Sequence, residues 1–199
     1  MLQLQAFNMD LVSQVKALEV ILRQNALLQT VFERAERLHL PQWHLGAGCI
    51  AQTVWNYLSG YDLTAHIQDL DLVYFDAQDL REERERQRAQ EASTCLREIP
   101  LPLDVKNQAR VHLWYEAHFG YPIRPYRSVE DAINTWPTTA TSVGVRVEAE
   151  GFRVYAPYGL NDLFGMVVRP NKAQITEAIY QRKISRWKAC WPRLQIIDW

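Results

Sequence analysis

Three aspartates carry the first chemical signal in this 199-residue chain. Asp69 and Asp71 stand two apart in the run Asp69-Leu-Asp-Leu-Val-Tyr-Phe75, and Asp104 sits between Leu103 and Val105. The first run is rich in β-formers and alternates at its start. As a strand it puts Asp69 and Asp71 on one face and Leu70 and Leu72 on the other, toward a core. Carboxylates held side by side repel, and a hard divalent cation relieves them. Oxygen-only ligands suit Mg²⁺ or Mn²⁺. A bare D-x-D is equally the end of a solvated strand, so the weight falls on Asp104, whose apolar neighbours turn it away from the core on a second strand. Lys106 shares the face of Asp104, where an ammonium can meet a phosphate, balance the carboxylates or simply be solvated. Upstream, Gly46-Ala-Gly48 is a glycine turn running into a helix-like stretch. It is either plain turn geometry or a set of backbone N–H groups for a nucleotide phosphate.

The elements that must position these residues follow from periodicity. Apolar residues from Met9 to about Leu38 recur at three- and four-residue steps, giving an amphipathic helix or helix pair closed by Pro41. A short strand over Gln42 to Leu45 leads through the glycine turn to a helix over Ile50 to Leu58, ended by Ser59-Gly60. The Asp69 to Phe75 run reads as a central strand. Leu80 to Glu98 is charge-rich, with Arg81/Glu85 and Glu82/Arg86 at four-residue spacing, and reads as a helix with a solvated face. A strand over Leu103 to Lys106 and a helix over Asn107 to Ala117 follow. Ser128 with Asp131 resembles a capping box for a short helix, Thr141 to Val147 and Phe152 to Ala156 form a hairpin about Glu148-Ala-Glu-Gly151, and a last helix spans Lys172 to Ala189. The expected class is α/β or α+β, a mixed central sheet flanked by helices. No repeat or linker divides the chain, so residues 1–199 read as one domain: an N-terminal helical segment (1–40), a core (42–170) and a C-terminal helix (171–199).

Composition excludes several classes. With 48% hydrophobic and 23% charged residues the chain can bury a full core. A formal charge of −1 lacks the basic excess of a protein that coats nucleic acid, so no extended nucleic-acid surface is expected. Three cysteines with no C-x-x-C indicate neither a disulfide framework nor a thiolate zinc site, which fits a reducing cytoplasm. The first residues lack a signal segment, and no stretch is long and apolar enough for a membrane span. The five histidines show no zinc spacing. Asp76 reads as a turn or cap residue. The tryptophans read as packing residues, and Lys183, Arg186, Lys188 and Arg193 as a basic end that complements a helix dipole. Arg124, Arg127, Arg146 and Arg169 are candidates to grip a triphosphate or acceptor, with nothing to choose among them.

Taken together, Leu45-Gly-Ala-Gly-Cys49, Asp69-Leu-Asp71 and Leu103-Asp-Val105 resemble the polymerase-beta-like nucleotidyltransferase superfamily. The stretches GAGCIAQTVWNYLSG, DLDLVYFD, LDVKNQARVHLWY, YRSVEDAINTWPTTATSVGVR and APYGLNDLFGMVVRPN look like its small bacterial members, from about Trp43 to past Asn171. The resemblance implies a nucleotidyltransferase fold and metal-dependent transfer of a nucleoside monophosphate from an NTP to an acceptor hydroxyl, with release of pyrophosphate. It implies that Asp69 and Asp71 hold the metal on the triphosphate, and that Asp69, Asp71 and Asp104 hold a second metal that activates the acceptor. Gly46, Gly48, Cys49 and Lys106 would then contact the nucleotide. Cys49 stands where many members have serine, and its thiol is a poorer phosphate donor. The acceptor, whether small molecule, RNA or protein, is left open. Two other readings are a non-catalytic nucleotide- or metal-binding regulator of antitoxin type with the same fold, and a glycosyltransferase, which would leave Asp104 and the glycine turn unexplained.

Overall fold

A computed structural model describes residues 6–149 and 151–199. The first five residues, part of the segment read above for a signal, and Glu150 of the expected hairpin turn lie outside the described residues. The N-terminal periodicity resolves into a pair of helices, α1 (Leu11–Leu22) and α2 (Ala26–Arg34). Asn25 separates them because its side chain does better as a cap than inside a helix. Its Oδ1 accepts from the N–H of Leu27 and Leu28, while its buried Nδ2 donates to Thr53 Oγ1 at 2.9 Å. There follow β1 (His44–Gly46), α3 (Gly48–Ser59), β2 (Leu70–Tyr74), α4 (Glu82–Cys95), β3 (Leu103–Asn107) and α5 (Val111–Phe119). The chain continues through α6 (Val129–Ile133), β4 (Gly144–Glu148), β5 (Gly151–Tyr155), α7 (Asn161–Phe164), β6 (Val167–Val168), α8 (Glu177–Cys190) and β7 (Gln195–Ile196).

Five strands form one mixed sheet in the order β3-β2-β1-β4-β5, in which only β2 and β3 run parallel. That parallel pair is joined across α4, the crossover that parallel strands require. β6 and β7 make a separate two-stranded ribbon. The architecture is the mixed α/β class expected. Alternation divides the sheet into two unlike faces. Leu45, Leu70, Leu72, Val105 and Val145 point into the main core, against residues of α1 to α3 and of α8. Val73 points the other way into a small cluster with Val129 and Ile133, and this thinner face leaves room for a site. Among the described residues no helix is long and apolar enough to cross a membrane.

Two boundaries shift for identifiable reasons. The last helix begins at Glu177 rather than near Lys172, because Thr176 caps it by accepting from Ile179 N–H. Ahead of α5, Gln108 to Arg110 form a single 3₁₀ turn, entered through Asn107, whose side chain accepts from Ala109 N–H. Ser128 caps α6 by accepting from Asp131 N–H at 3.1 Å, as its spacing indicated. The charged helix α4 departs from a purely solvated face. Glu85 is not paired with Arg81 but turns inward, accepts from Asn107 N–H at 2.7 Å and forms a nearly buried ion pair with Arg110. The Glu82–Arg86 pair does form, at 2.7 Å.

Candidate active site

The parallel register of β2 and β3 sets Asp71 directly beside Asp104 and Val73 beside Lys106. Side chains in register on neighbouring strands leave the same face, with backbones about 4.8 Å apart. Asp69 lies one residue ahead of β2 and is exposed, so it reaches the same face from the strand's entrance rather than from within it. On the far side of β2, Gly46 of β1 pairs with Asp71.

The turn after β1 differs from a simple glycine hinge. Ala47, not either glycine, takes the positive φ, at 55° with ψ −125°, and its N–H donates to Val143 O at 3.0 Å. A non-glycine residue held in that region is strained backbone. Gly46 is needed for space instead: a Cβ there would lie 2.6 Å from the Trp136 ring. The N–H of Gly48, the first of α3, favours the ionised form of the neighbouring Asp71 carboxylate. Cys49 is buried, with its thiol donating to Gly46 O at 3.1 Å, and burial pushes that thiol far up.

These elements border a cavity of about 550 Å³. Asp69, Asp71, Asp104, Lys106 and Gly48 line it, whereas Gly46 and the side chain of Cys49 do not. The cavity therefore gathers all three aspartates, while the expected Cys49 contact is directed into the core by the hydrogen bond to Gly46. Beside them stand Arg182, Lys183 and Arg186 of α8, with Gln52 of α3. Trp114, Tyr115, Phe119 and Tyr126 also line the cavity, Tyr126 hydrogen-bonded to Gln174, and Trp136 stands against Gly46, the strand partner of Asp71. As the side chains stand, no three acidic, histidine or cysteine groups among the described residues converge on one metal position. Asp104 instead lies 3.3 Å from Lys106 Nζ.

A family profile described as nucleotidyltransferase matches residues 33–196. The chain belongs to the nucleotidyltransferase family. No curated protein sequence matches it. Among solved structures, it is similar to a protein whose NMR structure reveals a CCA-adding enzyme head domain, at 26% identity and a TM-score of 0.76 over 92% of this chain and 96% of that one. A Thermotoga maritima CCA-adding enzyme complexed with tRNA matches at 14% identity and a TM-score of 0.49, over 92% of this chain and 42% of that one.

In this nucleotidyltransferase the electrostatics concentrate on Asp71. Burial pushes its carboxyl up to about 7, reinforced by repulsion from Asp69 and Asp104 and opposed by Lys183 and by the Gly48 N–H. The side chain keeps a partial opening into the cavity and is walled by protein elsewhere. Lys183 is lowered by burial, against the pull of Asp71. Two buried polar atoms on the cavity wall, Gln52 Oε1 and Trp187 Nε1, have no hydrogen-bond partner among the described residues. Unsatisfied groups of this kind are costly unless a ligand or water meets them.

The arginines singled out in the sequence fall elsewhere. Arg124 pairs with Asp131, Arg146 with Glu148 and Arg169 with Asp162, and none of the four candidates lines the cavity. Of Lys183, Arg186, Lys188 and Arg193, whose grouping suggests a dipole complement, Lys183 and Arg186 instead line the cavity together with Arg182. Lys188 lies in the last turn of α8 with Nζ donating to the carbonyls of Pro192 and Leu194 just past it, and Arg193 donates to Leu58 O in the last turn of α3. A signal was available: Ile175, Ile179, Arg182, Lys183 and Arg186 recur at three- and four-residue steps, so cations interrupt what should be an apolar inward stripe. Asp76 behaves as a turn residue, accepting from Gln78 and Asp79 N–H.

Proposed function

We propose that this nucleotidyltransferase moves a nucleoside monophosphate from an NTP to an acceptor hydroxyl in a divalent-metal-dependent reaction at the Asp69, Asp71 and Asp104 end of the cavity. One observation carries the reading: two in-register strands and a strand entrance direct three carboxylates into a cavity whose facing wall is cationic. Burial pushes the Asp71 carboxyl up to about 7, and the like charges of Asp69 and Asp104 push it the same way. The donor set therefore suits a hard cation, which would favour the ionised form of all three. Convergence on the ion would require Asp104 to turn from Lys106. When bound, Mg²⁺ or Mn²⁺ would supply charge neutralisation of the triphosphate and acidify the acceptor hydroxyl.

The chain's own groups account for the remaining work. Arg182, Lys183 and Arg186 face the carboxylates and suit the charge of triphosphate and departing pyrophosphate. The Gly48 N–H favours ionised Asp71, and Lys106, released from Asp104, becomes available to phosphate. The relative described as a CCA-adding enzyme head domain supports a nucleotide-adding reaction. The three free cysteines fit a reducing cytoplasm, and a core drawing on residues from Ala6 to Leu194 fits action as a single unit.

The test incubates the protein with each NTP labelled at the α-phosphate, Mg²⁺ or Mn²⁺, and fractionated small molecules, RNA and protein. Label should pass to one fraction. Asp71→Asn and Asp104→Asn should each reduce transfer by about a thousandfold or more while leaving the fold intact. Full transfer by either folded variant would overturn the proposal, and tight metal–NTP binding with no labelled acceptor would favour the regulatory reading.

A further inference from the structure

The cavity is sorted by polarity along α8. The lining residues of its C-terminal half include the cations Arg182, Lys183 and Arg186, beside Trp187, whereas those before and in its first turn, Gln174, Ile175 and Ile179, are uncharged. Within α8 the lining from Ile179 to Arg186 runs about 10 Å at the helical rise of 1.5 Å per residue, and Gln174 and Ile175 extend it past the helix start, room to lay a nucleoside triphosphate lengthwise. We propose that the uncharged end is the subsite for the nucleobase, so that α8 holds triphosphate at one end and a planar ring at the other. This rests on the reading of the carboxylate end as the triphosphate site.

Three observations point to a ring. Trp114, Tyr115, Phe119 and Tyr126 line the cavity, and the hydrogen bond from Tyr126 OH to Gln174 sets them beside the uncharged residues that precede α8. Its tyrosine hydroxyls are already engaged: Tyr126 OH donates to Gln174 Oε1 at 2.8 Å, Tyr121 OH donates to Gln174 O at 2.8 Å, and Tyr115 OH meets Tyr121 OH at 3.1 Å. The walls therefore offer ring faces rather than polar tips, the surface on which bases stack. Trp136 is fixed at the junction with the carboxylates. The bare Cα of Gly46 lets its ring lie against the sheet, and Asn171 Nδ2 donates to its carbonyl at 2.9 Å.

Exposure favours the base over the acceptor as occupant. Asp104 is 46% exposed in its side chain, so an acceptor can reach it from solvent, whereas Tyr115 and Tyr126 are 5% and 7% exposed. Stacking tolerates every base, so discrimination among the four NTPs should be shallow.

Binding of inorganic tripolyphosphate and of each NTP, both with Mg²⁺, is compared by calorimetry for the wild type, Trp114→Ala and Phe119→Ala. Both sites are partly exposed, and circular dichroism checks that each variant folds. The wild type should bind NTP roughly tenfold to a hundredfold more tightly than tripolyphosphate. At least one variant should lose most of that margin while tripolyphosphate affinity is unchanged. If the wild type binds the two ligands equally, or both variants keep full NTP affinity, the base subsite is refuted and the triphosphate reading stands. If the wild type binds neither ligand, the triphosphate reading falls and takes the base subsite with it.

Discussion

At the residue scale, Asp71 concentrates the conflict that the site depends on. Burial and repulsion from Asp69 and Asp104 raise its pKa and outweigh the attraction of Lys183 and of the Gly48 N–H. Its folded-state pKa of about 7 lies above the roughly 3.9 of an unfolded chain. The folded protein therefore binds the proton more readily, and the stability linked to Asp71 is present in full below about pH 4 and lost as pH rises toward 7. Discounted for the partial opening of the cavity, the effect is about 2 kcal/mol, or roughly 4–8 °C in Tm for a chain of this length. In metal-free buffer, Asp71→Asn should melt above the wild type at pH 8 and close to it at pH 4.5. Mg²⁺ should raise the wild-type Tm at pH 8 and leave the variant nearly unchanged. Asp10, Asp62 and Asp79, all lowered by hydrogen bonds, act in the acidic range and cancel in the comparison. Equal melting curves across that range would show that the Asp71 carboxyl is not raised.

At the scale of elements, β3 is held in register by α4. Glu85 accepts from the backbone of Asn107 at the end of β3 and pairs with Arg110 in the turn before α5, with side chains 12% and 8% exposed. Removing one partner of such a pair leaves a charge stranded away from water. Glu85→Ala should cost about 3 kcal/mol or more in urea unfolding, whereas Glu82→Ala, on the exposed face, should cost under about 1 kcal/mol. Similar costs for both would place Glu85 on the solvated face that charge pattern alone suggests. The contrast shows how far the sequence is legible. Alternation located the two aspartate strands and periodicity located the helices, because both report directly on which side of an element meets the core. The partner of Glu85 lies 25 residues away, and spacing within one helix cannot report on it. The glycine turn was legible as a turn but not in its cause, since only packing reveals that Gly46 makes room for Trp136 and that Ala47 bears the strained φ. The two-residue strands β6 and β7 and the four-residue α7 are too short to show a period at all.

At the scale of the whole molecule, the chain closes its cavity by bringing its C-terminal helix back to the sheet built from strands between His44 and Tyr155. The contact that fixes this return is aromatic. Trp55 of α3 meets Trp187 and Trp191 edge-on, each with ring centroids 5.5 Å apart, and Trp191 Nε1 donates to Asn56 Oδ1 at 2.8 Å. The cluster joins the helix that starts at Gly48, beside Asp71, to the helix that carries Arg182, Lys183 and Arg186. Stability and phosphate binding are therefore coupled through an aromatic cluster of which Trp187 lines the cavity while Trp55 and Trp191 do not. Trp191 is 1% exposed, lies outside the cavity lining and also packs on His66 at 5.4 Å. Trp191→Ala should cost about 3–5 kcal/mol, lowering Tm by roughly 6–20 °C. Because the cations would then be less firmly placed, Kd for metal–NTP should rise several-fold even at temperatures where the variant is fully folded. Calorimetric binding well below the variant's melting transition separates the two effects. A large loss of stability with unchanged Kd would mean that α8 is held over the carboxylates by its other contacts, chiefly Arg186 to Gln68 and Tyr180 to the carbonyls of Val168 and Ile197.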